Sequence, residues 1–224
     1  MIKWGLIWSF VSLAAMAALT AYGWVSLPDD GQFAVHWSAS GEVNRYAGKL
    51  EALLGLPALG VGLTVMFAFL PQIAPRRQNL EQSSGLYVSG WIGGMAILAC
   101  AHAFIVFTAL SGGEPQLGWI MVPLSLLLIV VGNFMTKSRS NWFAGIKTPW
   151  TLSSEHSWAV THRFGGYGFV LIGVLSLIAM PLFELDRVLI GTVIALLVVA
   201  GASVVVSIFA WKNDPDRKPI ISSD

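Results

Sequence analysis

VLIGTVIALLVVAGASVVVSIFAW, Val188 to Trp211, holds no charged residue, and its only hydroxyl side chains are Thr192, Ser203 and Ser207. At about 1.5 Å per residue such a run crosses roughly 30 Å of hydrocarbon as a helix, with every backbone polar group satisfied inside it. It has no polar face to turn towards water, so it reads as a membrane span rather than a surface helix.

The rest of the chain agrees. Hydrophobic residues make up 55% and charged residues 11% of the 224, and the mean hydropathy is +0.70, far from the balance of a soluble domain. A scan at span length finds six apolar runs: Trp4 to Leu27, Ala52 to Ile73, Leu86 to Leu110, Trp119 to Thr136, Gly166 to Phe183, and Val188 to Trp211. The first has Lys3 ahead of it and an Ala15-Met16-Ala17 triplet that resembles a cleavage site, but its apolar run continues to Leu27, so we expect a retained span. The expected fold class is all-α: an integral membrane protein with six transmembrane helices and a short interfacial helix.

Of the 13 Lys and Arg residues, Lys3, Arg76, Arg77, Lys137, Arg139, Lys147, Arg163, Lys212, Arg217 and Lys218 fall on one side of the spans. Arg45, Lys49 and Arg187 fall on the other. This asymmetry predicts a multi-pass membrane protein with both termini in the cytoplasm. Trp4, Trp24, Trp91, Trp119 and Trp211 lie near span ends and read as interfacial anchors. The polar identity then sits in an outer loop, Leu27 to Glu51, and a cytoplasmic loop, Lys137 to Gly165.

Several function classes lose support. A net charge of +1 gives no basic face for direct nucleic-acid binding. The single cysteine, Cys100, excludes an intrachain disulfide framework. No acidic or basic residue falls inside a span, and the lone in-span histidine, His102, reads as bonded to a neighbouring helix, which disfavours an ion-coupled transporter. Asp29, Asp30, His36 and Glu42 fit no zinc or calcium template, so the outer loop reads as turns at Pro28 to Gly31 and Ser38 to Gly41, with His36 and Trp37 packed on the membrane surface.

In the cytoplasmic loop, Thr148-Pro149 ends what precedes it, and Thr151, Ser153 or Ser154 can cap a helix running from Glu155 to about Phe164, stopped by Gly165-Gly166. Glu155, Trp158 and His162 would share a stripe of this interfacial helix. Residues seven apart are separated by roughly 10.5 Å along the axis, too far for a direct acid-base pair. A metal-dependent hydrolase or peptide-modifying enzyme using these groups or His36 remains the alternative, with a transporter or exporter as the second. The expected arrangement places Trp150 and Trp158 in the headgroup boundary, holding Glu155, His156, His162 and Arg163 as a polar patch.

The runs LPDDGQFAVHWSASGEVNRYAGK, from Leu27, and VGNFMTKSRSNWFAGIKTPWTLSSEHSWAVTHRFGG, from Val131, resemble the SdpI family of bacterial membrane proteins. The second carries that family's GN, N-x-x-x-GI, TPWTL and THR elements in order, with Lys147 where Arg is commoner. The resemblance implies two segments: 1–85, a two-span unit with the HW loop, and 86–224, a four-span unit with the TPWTL loop. It implies an immunity protein of the bacterial inner (cytoplasmic) membrane, and we expect it to act by binding, not as an enzyme and without a cofactor or metal. Such a protein gives resistance to a secreted membrane-active peptide toxin, and its bound state holds a small cytoplasmic repressor at the bilayer. The candidate ligand-binding residues are His36, Trp37, Gly41, Glu42 and Lys49. The candidate partner-binding or structural residues are Asn133, Asn141, Gly145, Lys147, Thr148, Pro149, Trp150, Glu155, His156, Trp158, His162 and Arg163.

Overall fold

A computed structural model describes residues 1–38, 41–112 and 118–217. In it α1 (Ile2–Ser26), α2 (Lys49–Phe69), α4 (Ser84–Ser111), α7 (Glu155–Ala179) and α8 (Leu185–Lys212) are long and apolar. With the 3-10 turn at Leu70–Gln72 that extends α2, these make five helices able to cross a membrane. A sixth helix, α5 (Gly118–Met135), contributes a shorter apolar stretch, Ile120–Met135. The protein is a multi-pass membrane protein, and the expected six crossings appear as five such helices and this shorter one. Two short helices, α3 (Arg77–Gln82) and α6 (Pro149–Ser153), lie between spans.

The helices α1, α2 and α4 pack as one trio, α5 packs against both α4 and α7, and α7 packs on α8. Trp91 belongs to the core of the trio. It is fully buried, stacks on Phe67 with ring centroids 5.6 Å apart, and donates from Nε1 to Ser9 Oγ at 2.9 Å. The expected anchoring role is thereby corrected for Trp91, because a serine on α1 meets the indole N–H inside the bundle. Trp4 and Trp24 do stand exposed, as anchors require.

Two further expectations are corrected. The loop after α1, expected as two turns, forms an antiparallel hairpin, β1 (Gln32–Trp37) with β2 (Val43–Gly48), while the described residues are otherwise helical, as the all-α class requires. Phe33 points inward to Leu53 and Val106, and the register is shifted on either side of His36, which re-aims His36 and Trp37. Gly41 has φ 84, and its N–H reaches Ser38 O at 3.0 Å, closing the turn. Ala39 and Ser40 lie outside the described residues.

The second correction is that α7 runs unbroken through Gly165-Gly166. These glycines pack rather than stop: a Cβ on Gly166 would stand 2.6 Å from Gly132 O, and one on Gly132 would stand 2.5 Å from Gly166 O. The α5 and α7 backbones therefore touch, as small-residue membrane interfaces allow. The expected interfacial helix is the start of a span, the stretch of α7 up to Phe164.

Candidate functional site

At the end opposite the hairpin, the loop between α5 and α7 is folded into a clamp. Asn141 is its staple: Oδ1 accepts from Phe143 N and Ala144 N at 3.0 and 2.7 Å, while Nδ2 donates to Arg139 O and Ala144 O. Gly145 follows at φ 126, a conformation open to glycine, and a Cβ there would meet His162 Nε2 at 2.3 Å. That close passage lets Ile146 N–H donate to His162 Nε2 at 2.8 Å. Since Nε2 accepts, the ring proton sits on Nδ1 and is donated to Trp158 O, also at 2.8 Å. His162 is a neutral imidazole with both nitrogens engaged by backbone, and it has none free to act as a general base.

Trp158 stacks on that ring with centroids 3.8 Å apart and donates to Ser138 Oγ at 3.1 Å. It is 1% exposed, which corrects its expected place in the headgroups: the indole finds its partners inside the protein. His162, equally buried, leaves the expected polar patch. Thr148 caps α6 in a capping box with Thr151, with Pro149 at the first helical position. Thr148 Oγ1 also reaches Ser207 Oγ on α8 at 3.1 Å. Ser154 caps α7 by accepting from Ser157 N, and its hydroxyl donates to Asp214 just beyond α8. That bond, with lesser help from the Asp216 backbone, His156 and Arg217, holds the Asp214 carboxyl below the usual carboxylate range. Arg76 completes the clamp from before α3, bonding Ser140 Oγ and Leu152 O.

The remaining candidates of this loop are peripheral. Glu155, His156, Arg163, Lys147 and Asn133 are exposed, and Trp150 is half-buried. The structure therefore separates the set into a buried clamp and an exposed polar rim.

At the hairpin end the geometry differs. A cavity of ≈ 690 Å³ lies beneath the hairpin, between α2, α4, α5 and α8. Its floor is apolar, with Ala101, Leu124 and Val193 on three of the helices. Its rim carries His36, Trp37, Arg45 and Glu51. His36 Nδ1 donates to Asn44 Oδ1 at 2.6 Å, and Trp37 sets its ring edge-on to Phe104 at 4.6 Å. Arg45 pairs with Glu51 across the junction of β2 and α2. Gly41 and Glu42 close the hairpin turn away from the cavity. Lys49 is buried and ties the start of α2 to Leu27 O and Asp29 Oδ1, both at 2.7 Å. The Asp29 carboxyl is lowered by that hydrogen bond and by the Lys49 charge.

His102 is held within the trio: Thr20 Oγ1 donates to Leu53 O at 2.9 Å and lies 3.0 Å from His102 Nε2, which donates to it in turn. Among the described residues no three His, Cys, Asp or Glu side chains gather as a metal-binding set. Arg45, Glu51 and the apolar floor were not legible as site residues. An apolar residue facing a cavity and one facing lipid look alike in sequence.

Comparison with known proteins bears out the resemblance. Residues 137–210 match the SdpI/YfhL protein family, and residues 11–61 match DUF1648, a domain of unknown function. The first segment covers the loop between α5 and α7, α7 and most of α8, and the second covers the hairpin with parts of its flanking helices. The chain is 26% identical over 90 residues to Immunity protein SdpI of Bacillus subtilis (strain 168). That alignment spans 40% of this chain and 43% of the relative, less than half of each. No solved structure matches.

Proposed function

We propose that the chain is a bacterial immunity protein that protects its cell by binding a secreted, membrane-active peptide toxin at the hairpin end, without turnover. The observation that carries this reading is the match of residues 137–210 to the SdpI/YfhL family, supported by the likeness to Immunity protein SdpI. The geometry supplies a rationale. A polar, aromatic rim over an apolar cavity suits an amphipathic ligand, and the Lys and Arg asymmetry turns that rim outward, where a secreted toxin arrives.

The test is survival of a toxin-sensitive bacterium expressing the chain. The parent is expected to protect. His36→Ala and Trp37→Ala are expected to lose protection at unchanged membrane abundance, by about 2 kcal/mol or a factor of about 30 each, as central anchors do. A parent that gives no protection sinks the immunity reading; variants that protect fully reduce the hairpin to scaffold.

The exposed Glu155, His156 and Arg163 favour a second role at the opposite end, holding a small cytoplasmic repressor when toxin is bound. Alanine at all three is expected to silence a toxin-responsive reporter while survival persists. Survival lost together with the reporter would assign the rim to protection instead.

A further inference from the structure

The cavity beneath the hairpin opens sideways. Its α8 wall includes Ile190, Val193 and Ile194, which are 46%, 47% and 55% exposed, so this wall is continuous with the hydrocarbon around the protein. The helices α2 and α8 both line the cavity yet share no substantial packing interface. From Leu189 to Ile194 is about 7.5 Å along α8. On α4 the lining reaches Ala101, ten residues or about 15 Å along the helix before its end at Ser111, room for a length of acyl chain.

Its top offers donors. Trp37 Nε1 is buried and has no hydrogen-bond partner, and an indole N–H can only donate. Arg45 stands at the rim, 59% exposed, with one guanidinium nitrogen on Glu51 and further N–H groups to offer.

We propose that this cavity binds one acyl chain of a glycerophospholipid, taken laterally from the surrounding leaflet. The ester carbonyl accepts from Trp37 Nε1, the phosphate lies against Arg45, and the chain runs between Ala101, Leu124 and Val193. Each part of the ligand answers a feature of the site: an acceptor for a buried donor, an anion for an exposed guanidinium, and a chain needing no polar partner for an apolar floor open to hydrocarbon. The immunity reading uses the same end of the molecule: the lipid chain fills the floor and a toxin would meet the exposed rim at His36, so the lipid test, which involves no toxin, fails separately from the survival test.

The full chain is placed in phosphatidylcholine nanodiscs with a trace of phosphatidylglycerol bearing a diazirine near the ester of one chain. After photolysis the adducts are mapped by mass spectrometry. Adducts should concentrate on residues 101–105 and 120–124 over outward-facing Leu171 and Leu197. Trp37→Phe keeps the ring and removes the donor, and should weaken the enrichment by about two- to tenfold, the worth of one neutral hydrogen bond. Ala101→Phe fills the floor and should abolish the enrichment while outward adducts persist. Labelling spread evenly over the lipid-facing surface and unchanged by either variant overturns the proposal. A photoleucine-bearing apolar helical peptide that labels the cavity where the phospholipid does not would also overturn it, since the occupant would then be a peptide.

Discussion

Gly145, His162 and Trp158 form one interlocked unit at the scale of single residues, and their substitutions should separate backbone strain from lost bonding. Gly145→Ala places a side chain on a φ 126 backbone, 2.3 Å from His162 Nε2. Backbone strain alone costs about 1–3 kcal/mol, and the clash adds to it. His162→Phe keeps a ring on Trp158 but leaves Ile146 N–H without its acceptor, at about 1–3 kcal/mol. Thermal unfolding in detergent should rank parent above His162→Phe above Gly145→Ala; equal midpoints would show that the clamp contributes nothing to stability. Asp214 adds a pH dependence. Its folded pKa lies below the ordinary 3.8 because Ser154 donates to the carboxylate, so the contribution is complete well above 3.8 and fades as pH falls through the depressed value. The stability advantage of the parent over Asp214→Asn should therefore shrink on acidification below about pH 4, and an advantage that grows there would refute the assignment.

At the scale of elements, the contact between α5 and α7 depends on glycine where α8 does not. Gly132 and Gly166 meet backbone to backbone, leaving no room for even a methyl group, whereas a Cβ on Gly201 of α8 meets nothing within 4 Å. Gly132→Ala should lower the thermal midpoint, since the neighbouring atoms, Gly166 O, Val170 N and Phe169 Cβ, are fixed by the backbone and cannot rotate away. Overpacking of this kind typically costs about 1–3 kcal/mol. Gly201→Ala, in open surroundings, should be neutral or slightly stabilising through helix propensity. The paired result checks that α7 is continuous through the Gly165-Gly166 step, because a break there would free Gly166 from α5 and make both variants alike.

For the whole molecule, the alternation of helices puts the hairpin at one end and the clamp at the other, and the charge asymmetry predicts which side each faces. In a Cys100→Ala background, Asp30→Cys should react with an impermeant thiol reagent added to intact cells, and Glu155→Cys only after the membrane is opened. Both positions are exposed, so accessibility within the protein does not confound the result. Reaction of Glu155→Cys in intact cells would reverse the orientation and remove the hairpin from the face that a secreted toxin meets.

Membrane class, the approximate spans, the two polar loops and the family resemblance were all determined by sequence alone. Hydrophobicity over a window is a sum of single-residue properties, and motifs such as TPWTL are contiguous. Tertiary structure decided which apolar residues point inward. In hydrocarbon both faces of a helix are apolar, so the periodicity that marks a buried face in a soluble protein is erased. Trp91 reads like Trp4 until Ser9 is found opposite it, and Gly166 reads as a helix stop until Gly132 is seen against it. The hairpin and its cavity depend likewise on partners distant in the chain, with Phe104 of α4 beneath Trp37 and Val193 of α8 lining the same cavity as Ala101. Those distant contacts convert a loop that reads as two turns into the roof of a cavity.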